Sequence, residues 1–452
     1  MRPLQKRVVI ELHDGNYLLV NPYSGSADII DAEALHLLES PDTEDENVAA
    51  LKRRGHLVEE TEETDLFHSM EMYSRVLHKN LSEQHLHVIM PTYECNLRCS
   101  YCFEKHLYRK ALKSKATMDE KTVDTLFEVI QSLDEGSKGE KCVVLYGGEP
   151  LLLKNLPLIE YILKKGNDCG YSFKVVTNGS ELYHFAPLLA EVTVLKIQVT
   201  LDGLRNVHDK RRYRKGGIGT FDDIVKGIDA ALEYELPLGI RINVDSENIN
   251  HLPEFAQFYQ EKWYPAVYAF VTNVCASECV HYSPLISAEE FTKELIELFV
   301  EDERMEVFLQ TFRYPNVLLE HLFTGKPFKP RFWACGAHTS IFIYDPVGDI
   351  YPCYQAVGDH VNKIGVYTPE LEFNDTFHQW RNRSVFTIKE CRECNIAFFC
   401  GGGCAYGGYT TTGSIYSPYC DKIKFSVKYE VPYLYYLLKT KKISLSEARD
   451  WY

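Results

Sequence analysis

Residues 86–102 read LHVIMPTYECNLRCSYC, a short apolar segment that runs into a loop with three cysteines. The apolar part has the length of a buried strand, and the chain beyond it decides the kind of sheet. Downstream of His87, short apolar segments alternate with amphipathic ones, the rhythm of parallel strands joined by crossover helices. The segments are LHVIMPT from Leu86, VVLYGGEP from Val143, FKVVTNG from Phe173, LKIQVTLDG from Leu195, LGIRINVD from Leu238 and AVYAFVTN from Ala266. Helical patterns lie between them, such as TMDEKTVDTLFEVIQSL, with a capping-box pattern at Thr117 and Glu120, and FDDIVKGIDAALEYE. Six βα units predict an α/β fold with an open, partial (β/α)6 barrel over residues 86–300. Ligands of such folds gather at the C-terminal ends of the strands. Four motifs fall there: the loop around Cys95, Gly147-Gly148-Glu149-Pro150, Thr177-Asn178-Gly179 and Thr200-Leu201-Asp202-Gly203.

The flanks read differently. Residues 1–80 contain strand-like RVVIEL, NYLLVNPYSG and ADIID, then helical AEALHLLES and EDENVAALKRRG, then HLVEE, the order of a small winged-helix module. Residues 301–330 look like a helical bridge. From 331 to 430 glycines, aromatics and cysteines replace the βα rhythm, which predicts a separate, cofactor-held domain, and 431–452 form a helical tail.

Of the 452 residues 45% are hydrophobic and 25% charged, the composition of a globular enzyme. No apolar run approaches the roughly 18–20 residues that span a membrane, and the start MRPLQKRVVIELHDG has no apolar signal core. A cytoplasmic location is therefore expected. The net charge of −15 repels phosphate backbones and argues against a nucleic-acid partner. Fourteen cysteines without a signal peptide point to metal ligation rather than disulfides.

Cys95, Cys99 and Cys102 are spaced to hold three irons of a cubane and leave the fourth without a protein ligand. Fe-S clusters usually take four cysteines, so a three-cysteine loop points to an external ligand. A zinc site short of one ligand is the competing reading, although structural zinc takes four. With Tyr101 just before the third cysteine, the loop resembles the defining loop of the radical S-adenosylmethionine (radical SAM) superfamily. That resemblance implies a TIM-like partial barrel and SAM chelated at the open iron through its amino and carboxylate groups. It also implies a 5′-deoxyadenosyl radical that abstracts hydrogen from the substrate. Cofactor contacts would come from Tyr101, Gly147, Gly148, Glu149, Asn178, Thr200 and Arg212. Gly147-Gly148 would allow close backbone approach, and Glu149 would face the methionyl amine. Asn178 and Thr200 would face the ribose and carboxylate, and Arg212 would pair with the carboxylate. An ordinary turn at GGEP and core or surface roles for Thr200 and Arg212 are the bland alternatives. No general acid or base is assigned.

The tail carries Cys335, Gly348, Cys353, Cys391-x2-Cys394-x5-Cys400-x3-Cys404 and Cys420. This pattern resembles the SPASM domain of radical SAM peptide-modifying enzymes. The resemblance implies two auxiliary clusters, expected as 4Fe-4S: an outer one held by Cys391, Cys394, Cys400 and Cys420, and an inner one held by Cys335, Cys353 and Cys404. Some sulfatase-maturing relatives place a further cysteine soon after the first, but 336–352 contain none. The inner set thus leaves an iron open for a substrate thiolate, unless Cys275 or Cys279 supplies a fourth ligand or the nuclearity is lower. Cys142 and Cys169 read as buried small hydrophobes.

Residues 1–80 resemble the peptide-recognition element of maturases of ribosomally made peptides, in which a leader adds as a strand to a sheet edge. An inert cap is the alternative. Together these readings predict an enzyme that installs thioether crosslinks, cysteine sulfur to carbon, in a precursor peptide. Its partners would be that peptide, with its leader on residues 1–80, and a flavodoxin- or ferredoxin-type electron donor, with no membrane. Carbon–carbon crosslinking, epimerisation and formylglycine formation in sulfatases belong to the same family. The N-terminal module and the missing cysteine weigh against the last. A non-catalytic Fe-S scaffold would lack the strand-end motifs.

Overall fold

The computed structural model describes residues 1–41, 45–59, 61–105, 107, 116–274, 282–313, 328–420 and 422–440. Its N-terminal part comprises β1 (Arg2–Pro3), β2 (Val8–Glu11), β3 (Tyr17–Val20), β4 (Ala27–Ile30), α1 (Ala32–Glu39), α2 (Glu46–Arg53), β5 (Leu57–Val58) and α3 (Glu62–Ser82). Strands β2, β3 and β4 form an antiparallel sheet in that order, and β1 pairs with β5. Asp31 and Asp45 cap α1 and α2 by accepting the N–H groups of Ala34 and Asn47, each cap contributing about 1 kcal/mol. Helix α3 has no counterpart among the expected elements. Its Leu66, Phe67, Met70 and Leu77 pack on a core that holds Phe332, Phe386, Ile388 and Phe398 of the cysteine-rich tail. The N-terminal part is thereby seated on the tail.

Six parallel strands come next with their crossover helices: β6 (Leu86–Ile89), α4 (Glu120–Leu133), β7 (Cys142–Leu145), α5 (Leu156–Asp168), β8 (Ser172–Thr177), α6 (Leu182–Leu189) and β9 (Val194–Thr200). Then come α7 (Arg205–Arg211), the small hairpin β10 (Tyr213–Arg214) and β11 (Ile218–Gly219), α8 (Phe221–Glu233), β12 (Leu238–Val244), α9 (Leu252–Lys262) and β13 (Tyr268–Asn273). All six expected apolar segments are strands, in the order β13-β12-β9-β8-β7-β6. Strand β7 is buried along its whole length, as a strand covered on both faces must be. On α4 the buried residues Val123, Leu126, Phe127 and Ile130 recur at helical spacing. Its cap differs from the expected Thr117/Glu120 box: Asp119 accepts the Thr122 N–H. Thr117 is drawn away by a bridge to Thr92, their hydroxyls 2.8 Å apart.

After α10 (Ala288–Glu301) and a 3-10 segment (Glu303–Arg313), the tail is not a separate sheet. Strand β14 (Ile341–Tyr344) pairs in parallel with β6, and β15 (Asp349–Tyr351), β16 (Gly365–Val366) and β17 (Glu372–Phe373) extend the same sheet antiparallel, giving ten strands. The first strand of an open barrel is an edge, and covering it removes its unpaired backbone groups. The remaining helices among the described residues are α11 (Asp375–Asn382), α12 (Ala397–Cys400), α13 (Ala405–Thr412), α14 (Lys422–Phe425) and α15 (Val431–Lys439). Among the described residues no helix is long and apolar enough to cross a membrane. Cys142 is buried in β7, but Cys169 is only half-buried, at the C-terminal cap of α5. Cys275 and Cys279 lie outside the described residues.

Candidate functional site

The three-cysteine loop begins where β6 ends, and its backbone is tied on three sides. Tyr93 and Met118 N–H donate to Ala116 O and Pro91 O at 3.2 and 2.9 Å. Arg98 N–H donates to Tyr213 O at 2.7 Å and Ser100 N–H to Arg211 O at 2.9 Å, so the segment around β10 grips the loop from beyond the fourth strand. From below, Gly148 N–H and Glu149 N–H donate to Thr92 O and Glu94 O at 3.3 and 2.8 Å. A Cβ on Gly148 would stand 2.4 Å from Glu94 O, so the close approach that this glycine permits is to the cysteine loop itself. Cys99 is buried, Cys95 and Cys102 half-buried. Burial pushes all three thiols up, and a metal bound there would displace their protons.

Glu149 is buried, and its carboxylate accepts three bonds from the chain: Leu151 N–H at 2.9 Å, the Thr177 hydroxyl at 2.5 Å and Asn178 N–H at 2.6 Å. It ties the ends of β7 and β8 together. Burial nevertheless outweighs these bonds and pushes it up to about 7. Asn178 donates to Asn96 Oδ1 at 2.9 Å, with its amide nitrogen 3.9 Å from Cys95 Sγ. Thr200 is buried at the end of β9.

Tyr101 points away from the loop into a buried charge network. Its hydroxyl donates to Asp202 and receives bonds from Arg212 Nη1 at 2.7 Å and Asn243 Nδ2 at 3.1 Å. Arg211 links Asp202 to Asp245 and donates to Asn243 O at 3.0 Å. Burial alone would raise Asp202, but Arg211 and Arg212 outweigh it and hold the carboxyl below its usual range. Sequence alone assigned no role to Asp202, Arg211, Asn243 or Asp245. The strand-end rule was their available signal, since Asp245 comes directly after β12 and Asp202 two residues after the end of β9. Three buried atoms in this region have no hydrogen-bond partner among the described residues: Ser100 Oγ within the loop, Arg212 Nε and Glu104 Oε1. Burial, helped by Glu149, pushes Glu104 up to about 8.

In the tail, the thiols separate into two groups by which of them act on one another. Cys335, Cys353 and Cys404 form one; Cys391, Cys394, Cys400 and Cys420 form the other. As in the loop, burial pushes thiols up in both groups: Cys353 in the first, Cys391 and Cys400 in the second. Cys400 closes α12 and Cys404 caps α13, accepting Gly407 N–H at 3.3 Å. Between them Gly402 takes a φ of +85°, a left-handed conformation that suits glycine. Members of both groups, Cys335 and Cys404 with Cys391, Cys394, Cys400 and Cys420, line a cavity of about 1360 Å³ that is also walled by β2 and α15.

Residues 89–259 match the model of the Radical SAM superfamily, and this defines the class of the barrel: it is a radical SAM domain, of a superfamily that uses SAM and 4Fe-4S clusters. The cysteine-type anaerobic sulfatase-maturating enzyme of Clostridium perfringens (strain 13 / Type A) is 26% identical over 328 residues, which is 69% of this chain and 85% of the relative. The solved structure of native anSMEcpe with bound AdoMet has a TM-score of 0.62 at 20% identity, covering 81% of this chain and 99% of that one. Streptococcus suis SuiB bound to precursor peptide SuiA has a TM-score of 0.53 at 15% identity, covering 92% and 98%. These two structures share the fold.

The residues present fit such a cofactor. An amino acid moiety carries one carboxylate and one ammonium, and two of the three unpartnered buried atoms belong to a guanidinium and a carboxyl group. Arg212 suits the first. Glu104 suits the second, while the oxygens of Glu149, expected at that place, are engaged by Leu151, Thr177 and Asn178.

Proposed function

We propose that this chain is a peptide maturase that joins a cysteine sulfur to a carbon of another residue in a ribosomally made precursor. The observation that carries the reading is the three-thiol set Cys335, Cys353 and Cys404. Cys335 is exposed, and it and Cys404 sit on the wall of the large cavity. A cluster held there by three thiolates would keep one iron for a substrate thiolate, which would set sulfur beside the carbon from which hydrogen has been taken. When bound, SAM and its cluster supply the hydrogen-abstracting radical. The protein's own part is to bind and orient: Arg212 and Glu104 for the cofactor's charged groups, and Cys95, Cys99 and Cys102 for its cluster.

Leader recognition would fall to the sheet of β2, β3 and β4. Its edge strands carry exposed apolar residues, Val9 at 38% and Ile29 at 53%, and among the described residues no further strand pairs with either. Strand addition there would give affinity through backbone bonds. SuiB, crystallised with a precursor peptide, covers more of this chain than anSMEcpe does, 92% against 81%. This supports a reading in which the added part serves a peptide with a leader.

The likeness to the sulfatase-maturating enzyme favours a second reading, oxidation of a peptidyl cysteine to formylglycine. Anaerobic reconstitution with SAM, dithionite and a cysteine-containing peptide carrying its leader separates the two. The first reading expects a product that has lost two hydrogens and resists thiol alkylation; an aldehyde captured by a hydrazide would overturn it. Val9→Pro and Ile29→Pro, one at each edge, test the leader site by fluorescence anisotropy. One of them should weaken leader binding by about tenfold, and unchanged binding in both would remove the leader from this sheet.

A further inference from the structure

Arg383 comes directly after α11 and is fully buried. Its Nε donates to Ile415 O, its Nη2 to Gly402 O at 2.8 Å and Ser417 O at 3.2 Å, and its Nη1 lies 3.5 Å from His338 Nε2. None of these partners is a carboxylate. His338 is neutral as well: burial pulls its pKa down to about 3, and the ring stacks on Trp380. Against its own burial, the groups whose charge supports Arg383 are Cys335, Cys391, Cys404 and Cys400, two from each thiol group. Gly402, whose carbonyl it holds, stands midway between Cys400 and Cys404, where the chain crosses from one group to the other.

A guanidinium stays protonated in proteins, and a buried charge without a counter-charge is strongly unfavourable. Among the described residues the anions that answer it are the thiolates that iron would create. We infer that Arg383 is the shared counter-cation of the two auxiliary clusters and raises the reduction potential of both. This rests on reading the two thiol groups as cluster ligands. Reduction adds one electron, hence one negative charge, to a thiolate-held cluster, and a fixed cation nearby stabilises the reduced form more than the oxidised one. Because the cation lies between the groups, both couples move in the same direction. The loop cluster has its own arginines and is not affected. Auxiliary clusters held high in this way are poised to accept electrons rather than donate them.

The test is a redox titration with EPR detection on the reconstituted full chain, with iron and sulfide analysed first. In Arg383→Gln both auxiliary potentials should fall, each reduced-to-oxidised ratio dropping by about tenfold at fixed potential, or about 59 mV for a one-electron couple. The loop cluster should not move. Arg383→Lys keeps the charge but not the fork of bonds, and should stay near the unsubstituted protein. His338→Glu leaves Arg383 in place and sets a carboxylate against its Nη1, so it must shift both potentials the same way as the glutamine variant, even where that variant fails to take up iron. Unchanged auxiliary potentials in the loaded Gln or Glu variant, or equal shifts in Gln and Lys, would overturn the inference and leave Arg383 a structural clamp. A wild-type chain that loads only about four irons would instead overturn the cluster assignment on which it rests.

Discussion

Around Cys99, buried cations meet carboxylates: Arg211 stands between Asp202 and Asp245, and Arg212 shares Tyr101 with Asp202. Around Cys404 the buried Arg383 meets carbonyl oxygens and a neutral imidazole, and among the described residues its charge is answered only by thiols. The loop region is thus close to electrostatic balance before any cofactor arrives and can hold its shape as an apoprotein. The tail region carries an uncompensated charge until its thiols become thiolates. Metal uptake should therefore contribute more to the stability of the tail than to that of the barrel.

The largest effect that could break this comparison is expected from Cys99→Ala. Formation of 5′-deoxyadenosine should fall to background while iron drops by only about four per chain, the tail keeping its share. Loss of all iron would mean the two regions do not load independently. Next, Cys404→Ala and Cys420→Ala should each remove one auxiliary EPR signal and leave SAM cleavage intact, and disappearance of both signals from either variant would merge the two thiol groups into one site.

Asp202→Asn leaves Arg211 partly unanswered and should cost about 3 kcal/mol, read by urea unfolding of the apoprotein. The pH dependence carries a sign. Asp202 is held low in the folded state, so its contribution is present above the unfolded carboxyl value of about 4 and is lost as pH falls through the folded one. The wild type should lose stability on that acid limb, and the variant should lack this part of the loss. Arg212→Lys keeps a cation but gives up the planar donors, and SAM affinity by equilibrium dialysis should weaken by about tenfold. The smallest effect, about 1 kcal/mol in thermal unfolding, belongs to Asp119→Ala, which removes the α4 cap and touches neither region. A change in either cluster's EPR there would show that the barrel wall and the sites are coupled.

Much of this was legible before the fold was known. The apolar segments at Leu86, Val143, Phe173, Leu195, Leu238 and Ala266 are strands because each is a short buried run bounded by turn residues, a local property. The spacing of Cys95, Cys99 and Cys102 is local too. What stayed hidden was non-local. Nothing near Asp119 or Thr117 announces that Thr92 will compete for the threonine, and nothing near Ile341 says that it will close the edge of β6 rather than start a new sheet. Glu104 lies two residues beyond Cys102, yet only its burial and an Oε1 without a partner among the described residues mark it out.

The sequence by itself therefore determined the class of chemistry and the barrel, because ligand spacing and strand periodicity depend on residues a few positions apart. The tertiary structure alone decided that α3 and the N-terminal sheet lie on the tail, that β14 joins the barrel, and that Arg383 stands between two groups of thiols. Those outcomes depend on which buried surfaces and charges find each other across hundreds of residues, and such pairings are chosen by packing and electrostatics in three dimensions.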